Sequence, residues 1–457
     1  MKKLLALLLA LAMVLSLAAC GGSSAPAATQ APAAAPEAPA EAPAAEEPAA
    51  EPVSITLWTY PIGGWGNQAT VEELIAGFNA VYPNITVSVQ YLDYTSGDDQ
   101  VNTAIEGGQA PDLIMEGPER LVANWGARGL MVDLSDIVTD AAKNEIYASV
   151  LSACTAADGA VYEYPVVMTA HCMAINYDAF VEAGADQYVD IDSHTWTTEQ
   201  FISAVNALYD YYGDTVGVVF CAGQGGDQGT RALINNLYGG TFTNADHTAY
   251  TADSPENIQA LELLYGLDGI EFDPSLVGGD EIALFYNGTL KMAFCWNIAQ
   301  QLNPNTADTG AELTIDGEKI VFMSFPSQTG ASALQGGIWG FGIFDNGDPA
   351  KVEAAKTFIQ YFGDSAEGLT AAARAANYFV ARDTVNGEDV SGIWADNDIM
   401  NEYTKIMPYL GDYYQVVPGW AVARTEWWNM LQRVGAGGDV ATEVAVFVAN
   451  ADAAAAG

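Results

Sequence analysis

The period of the hydrophobic pattern switches twice just after Val53, and few folds accept a chain that does this. Val53-Ser-Ile-Thr-Leu-Trp58 alternates apolar and polar residues, as a half-buried strand does. Thr70-Val-Glu-Glu73 has the form of a capping box. Val71, Leu74, Ile75, Phe78 and Val81 then recur at helical spacing until Pro83 stops the helix. Ile85, Val87, Val89 and Tyr91 alternate again. A second helix is predicted near residues 98–108, and a short buried strand at Asp112-Leu-Ile-Met115. Strand, helix, strand with short links predicts an α/β unit on a parallel sheet.

The same rhythm continues downstream. Trp196 to Tyr211 reads as a helix, with Thr197 and Gln200 in capping-box relation. Ser254-Pro255-Glu256 and Asp348-Pro349 each place an N-cap before a proline at the first helical position. The C-terminal hundred residues read as mostly helical, and no internal repeat is visible. From Val53 onward about 405 residues remain, too many for one compact core, so two domains are expected.

The N-terminus reads as a leader. Lys2 and Lys3 precede an apolar run from Leu4 to Leu17, shorter than a spanning helix needs. Small residues then lead to Cys20. Residues 1–19 are therefore expected to be a signal peptide, an ordinary leader with an incidental cysteine being the plainer alternative. Residues 20–52 are almost all Ala, Pro, Glu, Gly and Ser, a composition that cannot form a core and is expected to act as a disordered linker. At ~3.1 Å per residue, such a Pro-rich segment holds a domain up to ~100 Å from an anchor.

The chain has 58 acidic and 15 basic residues. Without the linker's five acids and the leader's two lysines, 53 acids face 13 bases. So negative a surface repels nucleic acid and anionic lipid. Cys154, Cys172, Cys221 and Cys295 show no C-x-x-C spacing, and either disulfides or buried thiols fit them. His171, His194 and His247 show no metal-ligand spacing, so no metal or cofactor is expected. There is no G-x-S-x-G and no P-loop, and the chain is not expected to be an enzyme.

Several segments resemble, in order, the family 1 extracellular solute-binding proteins, the maltose-binding-protein-like class. They are ITLWTY, FNAVYPNITVSVQY, AIEGGQAPDLIM, GLMVDLSDIV, DGAVYEYPVVMTAHCMAINYDAFVEAGAD with TWTTEQFISAV, ALFYNGTLKMAFCWN, and GGIWGFGIFDNGDPAKVEAAKTFIQYF. Leu17-Ala-Ala-Cys20 resembles the bacterial lipobox, which implies lipidation at Cys20. The family resemblance covers nearly all of 53–450. It implies a two-lobe, type II periplasmic-binding-protein fold, crossed three times at a hinge, with a ligand cleft between the lobes. Lobe one would comprise 53–167 plus 326–377, and lobe two 168–325 plus 378–457. The implied role is delivery of a small solute to the permease subunits of an ABC importer, by a monomer lipid-anchored on the extracellular face, or in the periplasm where an outer membrane exists.

Sugars present apolar C–H faces ringed by hydroxyls, so a sugar site needs rings beside carboxylates or amides. In open α/β sheets, ligands sit beyond the C-terminal ends of strands. That rule selects Trp58, Tyr60 and Trp65 after the first strand, and Glu116 after the third. The resemblance adds Trp296 and Asn297, Trp339 beside the hinge, Trp420 and Arg424 near the last helices, and His171 at the crossover. Core packing is the plainer reading for any single Trp. A solvated loop carboxylate is the plainer reading for Glu116, and an ion pair for Arg424. Trp125, Trp394, Trp427 and Trp428 are assigned to packing. A polyamine, peptide or metal complex is the alternative ligand. A glycoside hydrolase or an adhesin is the alternative class.

Overall fold

A computed structural model describes residues 51–94, 96–223, 227–302 and 312–456. The leader, the lipidation site Cys20 and the linker as far as Ala50 lie outside the described residues. The strands that carry the architecture are β1 (Val53–Thr59), β2 (Ile85–Tyr91), β3 (Leu113–Glu116), β4 (Tyr164–Ala170), β5 (Cys172–Asn176), β6 (Gly217–Phe220), β7 (Ile270–Asp273), β8 (Met292–Trp296), β9 (Ile320–Met323), β10 (Gly336–Ile343) and β11 (Phe379–Val380). A six-stranded sheet has the order β11-β4-β10-β3-β1-β2. A second sheet has the order β8-β5-β9, and β6 pairs with β7. The Val216 carbonyl accepts the N–H groups of both Lys291 and Met292, which ties the start of β6 to β8.

The predicted parallel unit forms. Val53 pairs with Ile85 and Leu57 with Leu113, so β2 and β3 flank β1 in parallel. β10 runs antiparallel between β3 and β4. The first helix is Gln68–Val81 and starts ahead of the expected Thr70, because the Asn67 side chain accepts the Thr70 N–H and caps it. Its buried stripe is Val71, Leu74, Ile75 and Phe78, with Phe78 against Phe358 and Tyr361. Val81 lies past that stripe and is 54% exposed. The second helix is Gly97–Glu106. Caps at Thr197, Ser254 and Asp348 all form as the sequence predicts.

The chain passes between the two sheets three times, and each passage lies later than expected. The first is His171 alone, between β4 and β5. Buried Tyr403 spans it: its hydroxyl donates to the Ala170 carbonyl and sits 3.3 Å from Cys172 Sγ. At the second, Ser324 still donates to His194 and Thr198 to Ser327, so the chain joins the first sheet only at Gly336 rather than at 326. At the third, β11 pairs with β4, Arg382 bonds Asp364, and Arg374 bonds Asp396. Residues 379–396 therefore stay with the first sheet, past the expected boundary at 377. An apolar dipeptide such as Phe379-Val380 does not disclose which sheet it joins.

Cys154, Cys172, Cys221 and Cys295 are free thiols, all buried. No helix among the described residues is long and apolar enough to cross a membrane.

Candidate functional site

β1, β2 and β3 are parallel, so their C-terminal ends share one edge of the first sheet. Tyr60 follows β1, Tyr94 follows β2, and Glu116 closes β3. After Glu116 the chain turns through Gly117 into the helical stretch Pro118–Arg120. Tyr60 and Tyr94 stack with centroids 5.1 Å apart. The Arg120 guanidinium lies 5.1 Å from the Tyr60 centroid and 5.7 Å from that of Tyr94, within cation–π range.

The same guanidinium gathers carboxylates. Nε donates to Asp98 at 2.7 Å, Nη1 donates to Glu116 at 2.7 Å, and Glu119 lies 3.5 Å away. Tyr60 donates to Asp98 at 2.5 Å. Burial raises Asp98, but hydrogen bonds from Arg120 and Tyr60 and the charges of Arg120 and Arg424 hold it below the usual carboxylate range. Glu116 is fully buried, and that burial pushes its carboxyl up to about 8 against the opposing pull of Arg120. Arg120 stays charged: burial works against it, and Glu116, Asp98 and Glu119 outweigh burial.

The facing wall comes from the start of the helix Trp420–Gly435, which packs on β7. A cavity of about 340 Å³ lies between the walls. Tyr94, Asp98, Glu119 and Arg120 line one side, and Val417, Trp420, Val422 and Arg424 the other. Trp420 is braced from behind by buried Arg231, whose guanidinium is 4.9 Å from its ring centroid. Tyr413 donates to Glu119 across the walls at 2.7 Å. Behind Glu119 lies Glu163, fully buried and pushed well above the usual range by burial and by Glu119 and Glu116.

Among the described residues, two further cavities stand out. One of about 740 Å³ lies against the second sheet's side, among Asn236, Thr243, Ser327 and Asp412. One of about 540 Å³ lies at the β11 edge, among Met168, Phe379, Trp394 and Met407. Of these three, the 340 Å³ groove is the one at the C-terminal strand ends.

The structure gathers five of the residues singled out in the sequence. Trp420 and Arg424 line the groove, while Tyr60 and Glu116 are buried behind its lining, bonded to Asp98 and Arg120 respectively. Trp339 stacks on Tyr378 at 4.8 Å, and Tyr378 lies within electrostatic reach of Glu116. The others lie elsewhere. Trp65 is sealed in the first core, edge-on to Phe341 and Phe362, with Nε1 donating to the Ala372 carbonyl. Its loop folds back because Gly63 adopts φ 52° and sits where a Cβ would meet the Ala376 carbonyl. Trp296 is sealed in the second core, against Phe285 and Tyr286, with Nε1 donating to Gln301. Asn297 caps its own helix by accepting the Ala299 N–H. Trp58 is a half-buried strand residue packed on the core. His171 is the crossing residue, and its N–H donates to the Gln335 carbonyl. Sequence reasoning missed Tyr94, Asp98, Glu119, Arg120, Glu163 and Tyr413. The strand-end rule, applied to β2 and to the turn after Glu116, points to the first, third and fourth of these.

Two α/β halves with a ring- and carboxylate-lined groove between them define a solute-binding protein of the two-lobe class. Residues 64–368 match the bacterial extracellular solute-binding proteins, and the chain belongs to that family. It resembles a cyclic alpha-maltosyl-1,6-maltose binding protein from Arthrobacter globiformis, with TM-score 0.69, 18% identity, and 88% of this chain and 99% of that one covered. An ABC substrate-binding protein from Listeria monocytogenes, in complex with cycloalternan, gives TM-score 0.66 and 19% identity over 88% and 99%. A curated relative, an uncharacterized lipoprotein from Streptomyces antibioticus, is 26% identical over 140 residues. That match spans 31% of this chain and 30% of the relative's length.

Proposed function

We propose that this chain captures a mono- or oligosaccharide in the groove between Arg120 and Trp420 and delivers it to the permease of an ABC importer. The observation that carries the reading is the groove's lining. Tyr94 and Trp420 supply rings for sugar faces, while Asp98, Glu119, Arg120 and Arg424 supply acceptors and donors for hydroxyls. The solved relatives named above were bound to, or named for, cyclic saccharides, which supports the same class. The residues facing the solute bind it, and none is assigned a catalytic step.

The lobes are 53–170 with 336–396, and 172–334 with 397–456. A solute that touches both walls favours the closed arrangement, which the importer reads. Cys20 carries the lipid, residues 20–52 are the tether, and the protein works as a monomer on the outer face of the cell membrane. In a thermal-shift screen of mono- and oligosaccharides, polyamines and peptides, saturation at a hundred times Kd adds about 2.7 kcal/mol. A shift with a saccharide supports the reading. Shifts confined to peptides or polyamines, or release of product from a glycoside, contradict it.

A further inference from the structure

The cavity of about 740 Å³ beside the second sheet shares no lining residue with the groove. Three segments form it: the end of the helix Asp227–Tyr238 with the loop after it, the stretch from Ser327 to Gln335, and Asp412 with Tyr414. Side chains pin these segments together. Asn236 donates to the Ala333 carbonyl at 2.9 Å and accepts the Ala333 N–H at 2.7 Å. Gln335 Nε2 donates to the Asp412 carbonyl at 2.7 Å. The chain's own bonds therefore set the walls.

Hydrogen-bonding capacity is left over in this lining. Thr243 and Gln335 line the cavity and are 4% and 5% exposed. Among the described residues nothing bonds Thr243 Oγ1 or Gln335 Oε1, nor Oδ1 of Asn235, a half-buried residue of the same lining. Buried polar groups are nearly always paired, so this set calls for a partner. Among the described residues no Lys or Arg lines the cavity, and its one carboxylate, Asp412, is engaged by His247 Nε2 at 2.6 Å. A phosphate would find no counter-charge there, whereas a hydroxyl both donates and accepts and so suits a wall of amides and hydroxyls. Phe242 and Tyr414 complete the lining, stacked with centroids 4.7 Å apart.

We propose that this cavity is a second saccharide site, where the hydroxyls of a neutral sugar bond Asn235, Thr243 and Gln335 beside the rings of Phe242 and Tyr414. Its volume falls in the range of small-molecule sites, roughly 300–1,000 Å³. The two spaces meet at one ring cluster, since Phe242 and Tyr414 lie 5.8 and 5.7 Å from Trp420 of the groove. Separating the sites by mutation therefore calls for residues away from that cluster. Tyr94 serves for the groove, and Thr243 and exposed Ala331, at the rim, serve for the cavity.

The test is titration calorimetry of the full-length chain in detergent. The probes are glucose, maltose, cellobiose and their trimers, with glucose 6-phosphate as an anionic counterpart and triglycine as a neutral peptide. The proposal predicts two saccharides bound per chain. Ala331→Trp fills the cavity and removes one binding event, and Tyr94→Ala weakens only the other. Thr243→Val keeps the side chain's shape and removes the hydroxyl, so it weakens the cavity event about tenfold, the worth of one hydrogen bond. Ala331→Trp carries the test if Thr243→Val fails to fold. A single event that Tyr94→Ala weakens and Ala331→Trp leaves untouched overturns the proposal and leaves the groove reading intact. A single event lost in Ala331→Trp and unchanged in Tyr94→Ala upholds the second site and overturns the groove reading. Glucose 6-phosphate or triglycine binding in the cavity as tightly as the neutral sugars, or no saccharide binding at all, overturns the proposal.

Discussion

The Tyr413 hydroxyl donates to Glu119 Oε2 at 2.7 Å, joining the two walls of the groove through residues 294 positions apart. Burial and the Glu119 charge both keep that phenol protonated. A hydrogen bond to a charged acceptor contributes about 1.5–3 kcal/mol. Tyr413→Phe keeps the ring and removes the donor, so it should lower the unfolding free energy by about 2 kcal/mol. Urea unfolding with an unchanged slope and a lower midpoint is the expected result. An unchanged midpoint would mean the bond is not formed in solution.

Arg120 is held by Asp98, Glu116 and Glu119, and its side chain is only 13% exposed. Removing one partner of a buried ion pair costs about 3–5 kcal/mol, since the remaining charges stay desolvated. Arg120→Gln should therefore destabilise the chain by that amount at pH 7. The loss should shrink as pH falls and the orphaned carboxyls protonate. Chemical unfolding at pH 5 and pH 7 reads both effects, and a loss independent of pH would show that the carboxylates are not the cause.

Glu281 is fully buried, and burial pushes it up to about 8 against hydrogen bonds from the Phe294 and Cys295 N–H groups. The unfolded carboxyl titrates near 4.5, so between these values the folded chain holds the extra proton and stability falls as pH rises. His247 acts in the same direction. Its hydrogen bond to Asp412 raises it above 6.5, and that contribution is lost as pH climbs through the raised value. The melting temperature should be higher at pH 5 than at pH 8.5, and Glu281→Gln should flatten the slope. A profile that rises over this window contradicts the assignment.

Local chemistry was readable in the sequence wherever it acts within a few residues. Thr197, Ser254 and Asp348 cap the helices they were expected to cap, because a cap needs only its own next turn. The parallel unit was readable because period fixes which face is buried. The direction a loop tryptophan takes was not readable. Trp65 sits among glycines, yet distant Phe362 draws it inward, and Trp296 ends β8 with its ring turned into the second core and its Nε1 held by Gln301. The groove itself is assembled from Tyr94, Asp98, Arg120, Trp420 and Arg424 and their neighbours, and no short-range pattern announces a meeting across such separations.

Trp296 gives a direct check on that distinction. Its ring is fully buried against Phe285 and Tyr286, and truncating a buried aromatic costs about 3–5 kcal/mol. Trp296→Ala should lose that much stability in denaturant titration, while the remaining folded protein binds solute with unchanged affinity. A tenfold loss of affinity at full stability would return the ring to the site.

The central claim is that the solute lies between the ring of Tyr94 and that of Trp420. Titration calorimetry of the strongest-binding saccharide against the wild type, Tyr94→Ala and Trp420→Ala tests it most directly. One groove site per chain is expected, with each substitution weakening its affinity tenfold or more, since a lost ring contact is worth ~1.5–3 kcal/mol. Tight saccharide binding that neither substitution alters would place the solute elsewhere and contradict the account.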